Sequence, residues 1–161
     1  MNRRRLLMAN KINIIYISLN GNTKYFVECL SEYIEATKDI VVESLNIKDL
    51  KGETFPVDEP FVSFLPTYLN GGNGIHTGDK EVLTTRLGDF IVSNANFKFC
   101  YGIVGSGNRN FNNQFCLSAK QYAERFGFPL IDVFELRGTQ SDVERIANLI
   151  INHHEEFLNE L

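Results

Sequence analysis

Ile12-Asn13-Ile14-Ile15-Tyr16-Ile17-Ser18-Leu19-Asn20-Gly21-Asn22-Thr23 is a β-rich run that passes without interruption into a small polar turn. Residues 12–17 are short, apolar and mostly β-branched, which predicts a strand. Residues 22–36 follow with Phe26, Cys29, Leu30, Tyr33 and Ile34 at gaps of three and four, so one helical face is buried. A strand, a polar turn and an amphipathic helix in that order form the first step of an α/β fold.

Outward from this stretch the alternation continues. Residues 40–47 predict a second strand, and residues 61–65 a third closed by Pro66. A helix is predicted over 79–91, with Val82, Leu83, Leu87, Phe90 and Ile91 inward and Gly88 as an interior breaker. Residues 99–104 predict a fourth strand. An amphipathic helix over 112–126 then ends at Gly127, a C-cap, with Pro129 preventing continuation. Residues 130–134 predict a fifth strand. Ser141 and Glu144 have capping-box spacing for a last helix through Val143, Ile146, Ala147 and Ile150. Five strands alternating with helices give a parallel sheet with right-handed crossovers.

The chain has 161 residues and a formal net charge of -4, enough for one domain with its own core. The mild acidity argues against nucleic acid as a partner. Residues 1–11 are expected to be a frayed basic leader carrying Arg3, Arg4 and Arg5, and residues 12–161 a single domain. The leader's apolar part is too short for a secretory signal, and Met8 offers an alternative translation start. No stretch approaches a membrane span, so a cytoplasmic protein that makes no use of a membrane is expected. Cys29, Cys100 and Cys116 show no zinc spacing and read as reduced, packed thiols. His76, His153 and His154 read as solvent-exposed, Asp79 and Asp89 as helix-end and surface charge, and Glu155, Glu156 and Glu160 as a solvated face. No set of metal ligands can be assembled.

Ligands of open parallel sheets sit beyond the carboxyl ends of the strands. Three polar, Gly-containing loops fall there. The first, Ser18 to Thr23, offers small polar side chains and Gly21 just before a helix, suited to an anion at the positive helix end. It lacks both GxxxxGK[ST] and GxGxxG, which disfavours a nucleoside triphosphatase and a dinucleotide site. A phosphate monoester site and a plain N-capped turn both fit it. The second, Pro66 to Gly72, offers Tyr68 for stacking and Gly71 and Gly72 for close backbone approach; a surface turn is the plain alternative. The third, Gly105 to Phe111, offers Phe111 as a second ring partner, Ser106, Asn108 and Asn110 for a polar edge, and Arg109 for a ring, a phosphate, a partner or solvent. A flat ring with a phosphate, such as a flavin, suits all three together.

Two segments carry a resemblance. Gly105-Ser106-Gly107-Asn108-Arg109-Asn110-Phe111 and Phe134-Glu135-Leu136-Arg137-Gly138-Thr139-Gln140-Ser141-Asp142 resemble the signatures of the NrdI family, the flavodoxin-like proteins of class Ib ribonucleotide reductase. The resemblance covers about residues 12–150. It implies a flavodoxin-like three-layer αβα sandwich with a five-stranded parallel sheet in the order 2-1-3-4-5. It implies FMN as cofactor, and superoxide delivered from the reduced flavin to the dimanganese small subunit, where a manganese–tyrosyl radical cofactor is assembled. An electron-donating reductase is a second implied partner, and the metal belongs to the small subunit. Carried over motif by motif, Ser18, Asn20, Gly21, Asn22 and Thr23 would hold the phosphate. Pro66, Thr67, Tyr68, Leu69, Asn70, Gly71 and Gly72 would flank the ring. Ser106, Gly107, Asn108, Arg109 and Phe111 would close the other side, and Glu135, Leu136 and Gly138 would border the site.

The chain departs from the pattern in two places. Asn20 stands where flavodoxins usually place Ser or Thr, which predicts altered affinity rather than lost binding. The loop over 70–79 is longer than in the shorter members. Two other functions fit the same residues: a general electron-transfer flavodoxin, and a flavodoxin-fold binding module without redox activity. In the two flavin readings the cofactor carries the chemistry and the protein supplies no catalytic side chain.

Overall fold

The computed structural model describes residues 3–69 and 80–161, and residues 111–113 by their backbone alone. Five strands form one parallel sheet in the order β2-β1-β3-β4-β5. They are β1 (Lys11–Tyr16), β2 (Val41–Asn46), β3 (Phe61–Pro66), β4 (Cys100–Gly107) and β5 (Leu130–Glu135). The helices are α1 (Arg3–Ala9), α2 (Asn22–Lys38), α3 (Thr85–Val92), α4 (Leu117–Phe126) and α5 (Gln140–Glu160). The fold class and strand order are those expected from the sequence. Among the described residues no helix is long and apolar enough to cross a membrane.

Side chains alternate across each strand, and both faces of the sheet are covered. Ile12, Ile14, Tyr16, Val62, Phe64 and Phe134 pack with α2 and α5 on one face. Ile15, Ile17, Phe61, Leu65 and Ile103 pack with α3 and α4 on the other. β4 contains a bulge: Phe61 pairs with Cys100 but Val62 pairs with Gly102, so Tyr101 is an extra residue.

Several boundaries differ from the sequence-based expectation. Within the expected leader, residues 3–9 form the helix α1, none of whose residues is buried. Arg4 donates to the Asp58 carbonyl, and Arg5 to the Asn159 carboxamide. The helix expected over 79–91 begins only at Thr85, because Leu69 and Glu81 form an antiparallel bridge and Leu83 takes a left-handed φ of 67°. The helix expected over 112–126 is a 3-10 segment, Arg109–Gln114, followed by α4, with Cys116 at φ 56° between them. Gly127 does cap α4, donating to Ala123 O. α5 starts one residue earlier than Ser141. Its capping box joins Thr139 and Asp142 rather than Ser141 and Glu144.

Cys100 and Cys116 are buried, and burial pushes both thiols up to about 12. Cys29 is half-buried beside the core. His154 corrects the exposed-tail reading. It is only 2% exposed and lies 5.4 Å from the Tyr101 ring, between Ile150 and Leu158 on the buried stripe of α5. His153 is half-buried, Asp89, Glu155, Glu156 and Glu160 are exposed, and His76 and Asp79 lie outside the described residues.

Candidate functional site

The order β2-β1-β3 reverses direction between β1 and β3, and a crevice opens beyond the carboxyl ends of strands at such a point. A cleft of about 180 Å³ occupies it, lined by Asn20, Asn22, Pro66, Thr67, Tyr68, Ser106, Gly107, Asn108 and Leu136. These residues come from the ends of four different parts of the chain, after β1, β3, β4 and β5. A cavity of about 260 Å³ lies elsewhere, at the opposite end of the sheet around Lys11, Glu43 and Glu59. There Lys11 is bridged by both carboxylates, at 3.1 and 3.2 Å, so its charge is satisfied within the chain.

The first wall of the cleft is built by the turn into α2. The Ser18 hydroxyl accepts the Lys24 N–H at 3.1 Å, and Asn20 Oδ1 accepts the Asn22 N–H at 3.0 Å. Ser18 therefore keeps its own proton to donate, and Asn20 keeps both hydrogens of its amide nitrogen. Asn46, at the end of β2, fixes the turn from below by accepting the Ser18 N–H at 3.3 Å. Gly21 takes φ 94°, a left-handed turn that a side chain would strain. Its side gives α2 no side-chain cap, and the first turn holds no acidic residue. The contrast with α5 is direct: there Asp142 already occupies the positive end. The start of α2 is thus open to an anion. Thr23, expected at the phosphate, is buried in the first turn.

The second wall is the segment after β3. Thr67 N–H donates to Ser106 O at 3.0 Å, and Tyr68 O accepts the Val82 N–H at 2.9 Å. Leu69 pairs with Glu81 beside the cleft rather than lining it. The Thr67 hydroxyl is buried and has no partner among the described residues. Leaving a buried hydroxyl unpaired is costly, and Thr67 is a residue of the cleft lining. Tyr68 is half-buried, and burial raises its phenol above the usual range. Asn70, Gly71 and Gly72 lie outside the described residues.

The third wall is the end of β4 and the loop after β5. Leu136 N–H donates to Gly107 O at 2.9 Å. Glu135, expected as a border residue, accepts the Arg109 N–H at 2.9 Å and so braces the 3-10 segment. The Arg109 guanidinium lies 4.4 Å from the centre of the Phe115 ring and is exposed outside the cleft lining. Leu136 is left-handed (φ 55°) and 48% exposed at the rim. Backbone strain of that kind concentrates at functional sites. Gly138 packs beneath, against Phe26. The Phe111 side chain lies outside the described residues.

Residues 14–148 match the family model described as NrdI flavodoxin-like. The chain belongs to the NrdI family. It is 58% identical over 141 residues to an NrdI-like protein of Streptococcus pyogenes serotype M1, covering 88% of each chain. It is 30% identical over 144 residues to the protein NrdI of Mycoplasmopsis pulmonis, covering 88% of this chain and 85% of that one. Among solved structures, oxidised flavodoxin 2 from Bacillus cereus superposes with a TM-score of 0.56 at 20% identity, covering 91% of this chain and 99% of that chain. That likeness concerns the fold.

A flavodoxin-like fold in the NrdI family implies a flavin. The cleft fits one: an open helix end for a phosphate, a half-buried tyrosine, an unpartnered hydroxyl and backbone edges on three sides. Three further residues shape it without having been singled out in the sequence: Asn46, Glu81 and Tyr122. Asn46 had a local signal, since it also accepts the Lys48 N–H as a 3-10 cap. Glu81 and Tyr122 meet across 41 positions, a separation that no local pattern reveals.

Proposed function

We propose that this chain binds FMN non-covalently in the cleft beyond β1, β3 and β4, and serves a class Ib ribonucleotide reductase. The observation that carries the reading is one cleft that joins the uncapped start of α2, at Asn20 and Asn22, to Thr67 and Tyr68 after β3 and to Ser106, Gly107 and Asn108 after β4. In this reading Ser18, Asn20, Gly21, Asn22 and Thr23 hold the phosphate. Pro66, Thr67 and Tyr68 flank the ring on one side; Ser106, Gly107 and Asn108 flank it on the other. Leu136 covers the rim, while Glu135, Gly138, Arg109 and Leu69 hold these edges in place.

Held by these residues and reduced by a partner reductase, FMN would supply the one-electron reduction of dioxygen to superoxide, for use by the dimanganese small subunit. The chain's own contribution is binding, orientation and control of solvent. The Ser18 and Asn20 donors neutralise little charge by themselves, so the helix end carries much of the phosphate's stabilisation.

The test has two steps. The purified protein is titrated with FMN and followed by absorbance and fluorescence; a yellow one-to-one complex is expected, and a colourless protein refutes the reading. The reduced complex is then mixed with manganese-loaded small subunit in air. Formation of a tyrosyl radical is expected by electron paramagnetic resonance. FMN binding without radical formation leaves the simpler function, an electron-transfer flavodoxin.

A further inference from the structure

Among the described residues, Tyr68 makes no hydrogen bond to a helix. Its carbonyl accepts from Val82, and its neighbour Leu69 pairs with Glu81. Beyond the Thr67–Ser106 bond that holds the start of this segment, the edge is fixed by whatever fixes residues 81 and 82. The Glu81 carboxylate supplies that anchor. Its Oε2 accepts from the Tyr122 hydroxyl at 2.7 Å and from the Thr84 hydroxyl at 2.5 Å. Tyr122 belongs to α4 and is 3% exposed; Thr84, at the start of α3, is fully buried. The Tyr122 oxygen also accepts the Gly88 N–H at 3.0 Å, within α3. The absence of a side chain at Gly88 makes this possible, since a Cβ there would stand 2.8 Å from the Tyr122 oxygen. One carboxylate oxygen thus ties the cleft edge to α3 and α4 together.

We infer that Glu81 is a positioning residue for the flavin cleft, setting the Tyr68 edge through its paired hydroxyls on Tyr122 and Thr84. It lies outside the cleft lining and acts through Val82 and Leu69 on Tyr68. Two hydroxyl donors to one charged oxygen form a stiff junction, because hydrogen bonds to charged groups are stronger than neutral ones. The inference rests on the FMN reading above.

The experiment compares FMN dissociation constants and visible spectra of bound FMN for the full chain and four variants. Glu81→Ala is expected to weaken FMN about tenfold and shift the flavin band. Glu81→Gln keeps an oxygen acceptor for both hydroxyls and is expected to stay within about threefold of wild type. Ile34→Val trims the core near the far end of α2 and is expected to lower the melting temperature while leaving affinity unchanged. Should Glu81→Ala fail to fold, Thr84→Val removes one donor alone and is expected to weaken FMN about threefold. Wild-type affinity and spectrum in Glu81→Ala overturn the inference, as does Glu81→Gln failing equally, or, where Glu81→Ala is unfolded, wild-type affinity in Thr84→Val. An Ile34→Val loss as large as that of Glu81→Ala also overturns it, because stability alone would then explain the effect. A wild-type protein that binds no FMN refutes the FMN reading itself and takes this inference with it.

Discussion

Gly138 lies flat against the ring of Phe26, and a Cβ placed there would come within 2.5 Å of Phe26 Cδ2. Phe26 cannot easily retreat, because it stacks on Phe134 at 3.9 Å between centroids with an interplanar angle of 13°. The loop that borders the cleft is thus seated on a pair of stacked core rings.

Replacing Gly138 by alanine is expected to destabilise the protein by at least about 2 kcal/mol. The substitution combines core overpacking with a side chain at φ 74°, each worth about 1–2 kcal/mol or more. Urea denaturation of Gly138→Ala against wild type measures it. An unchanged midpoint would mean the loop can move off Phe26 freely.

His154 predicts an acid-sensitive fold. Burial lowers its pKa from 6.5 to about 4. The unfolded chain therefore binds a proton in a window where the folded chain does not, so stability rises with pH across it. Stability is full above about pH 6.5 and falls as pH drops toward 4, by on the order of 3 kcal/mol in all. The paired carboxylate Asp142 has its pKa lowered below 3.8, so its loss belongs to more acidic conditions. Urea midpoints at pH 7 and pH 4.5 should differ markedly in wild type and much less in His154→Phe. Equal slopes in the two proteins would exclude His154 as the source.

Thr139→Ala removes the side chain that accepts the Asp142 N–H at 3.1 Å at the start of α5. The expected cost is about 1 kcal/mol, read as a lower thermal midpoint in scanning calorimetry. Ser141→Ala is the comparison that decides the register of the cap: it should be near neutral, and a loss equal to that of Thr139→Ala would return the cap to Ser141.

The strands were legible because apolar runs and their spacing are local; the sheet order followed from the resemblance carried by residues 105–111 and 134–142. The carboxyl-end loops could be named for the same reason. What escaped the sequence depends on contacts between distant residues. The 79–91 periodicity was real at Leu87, Phe90 and Ile91, yet the pairing of Glu81 with Leu69 took its first part out of the helix. The left-handed Cys116 divided another helix, and nothing in its neighbours marks that turn. His154 is a different case. It sits four residues from both Ile150 and Leu158, so the buried stripe already included it; its polar neighbours concealed the pattern.

The extra residue in β4 sets the phase of everything after it. A strand alternates faces at every step, so one inserted residue exchanges the two sides for the remainder of its length. Were Tyr101 an ordinary paired residue, strict alternation from Cys100 would turn Val104 from α2 and α5 toward α3 and α4, and Ser106, opposite Pro66 at the cleft, would turn with it. A single residue near the far end of the strand thereby decides which side chains reach the mouth of the crevice, more than a dozen ångströms away at strand spacing of about 3.3 Å per residue.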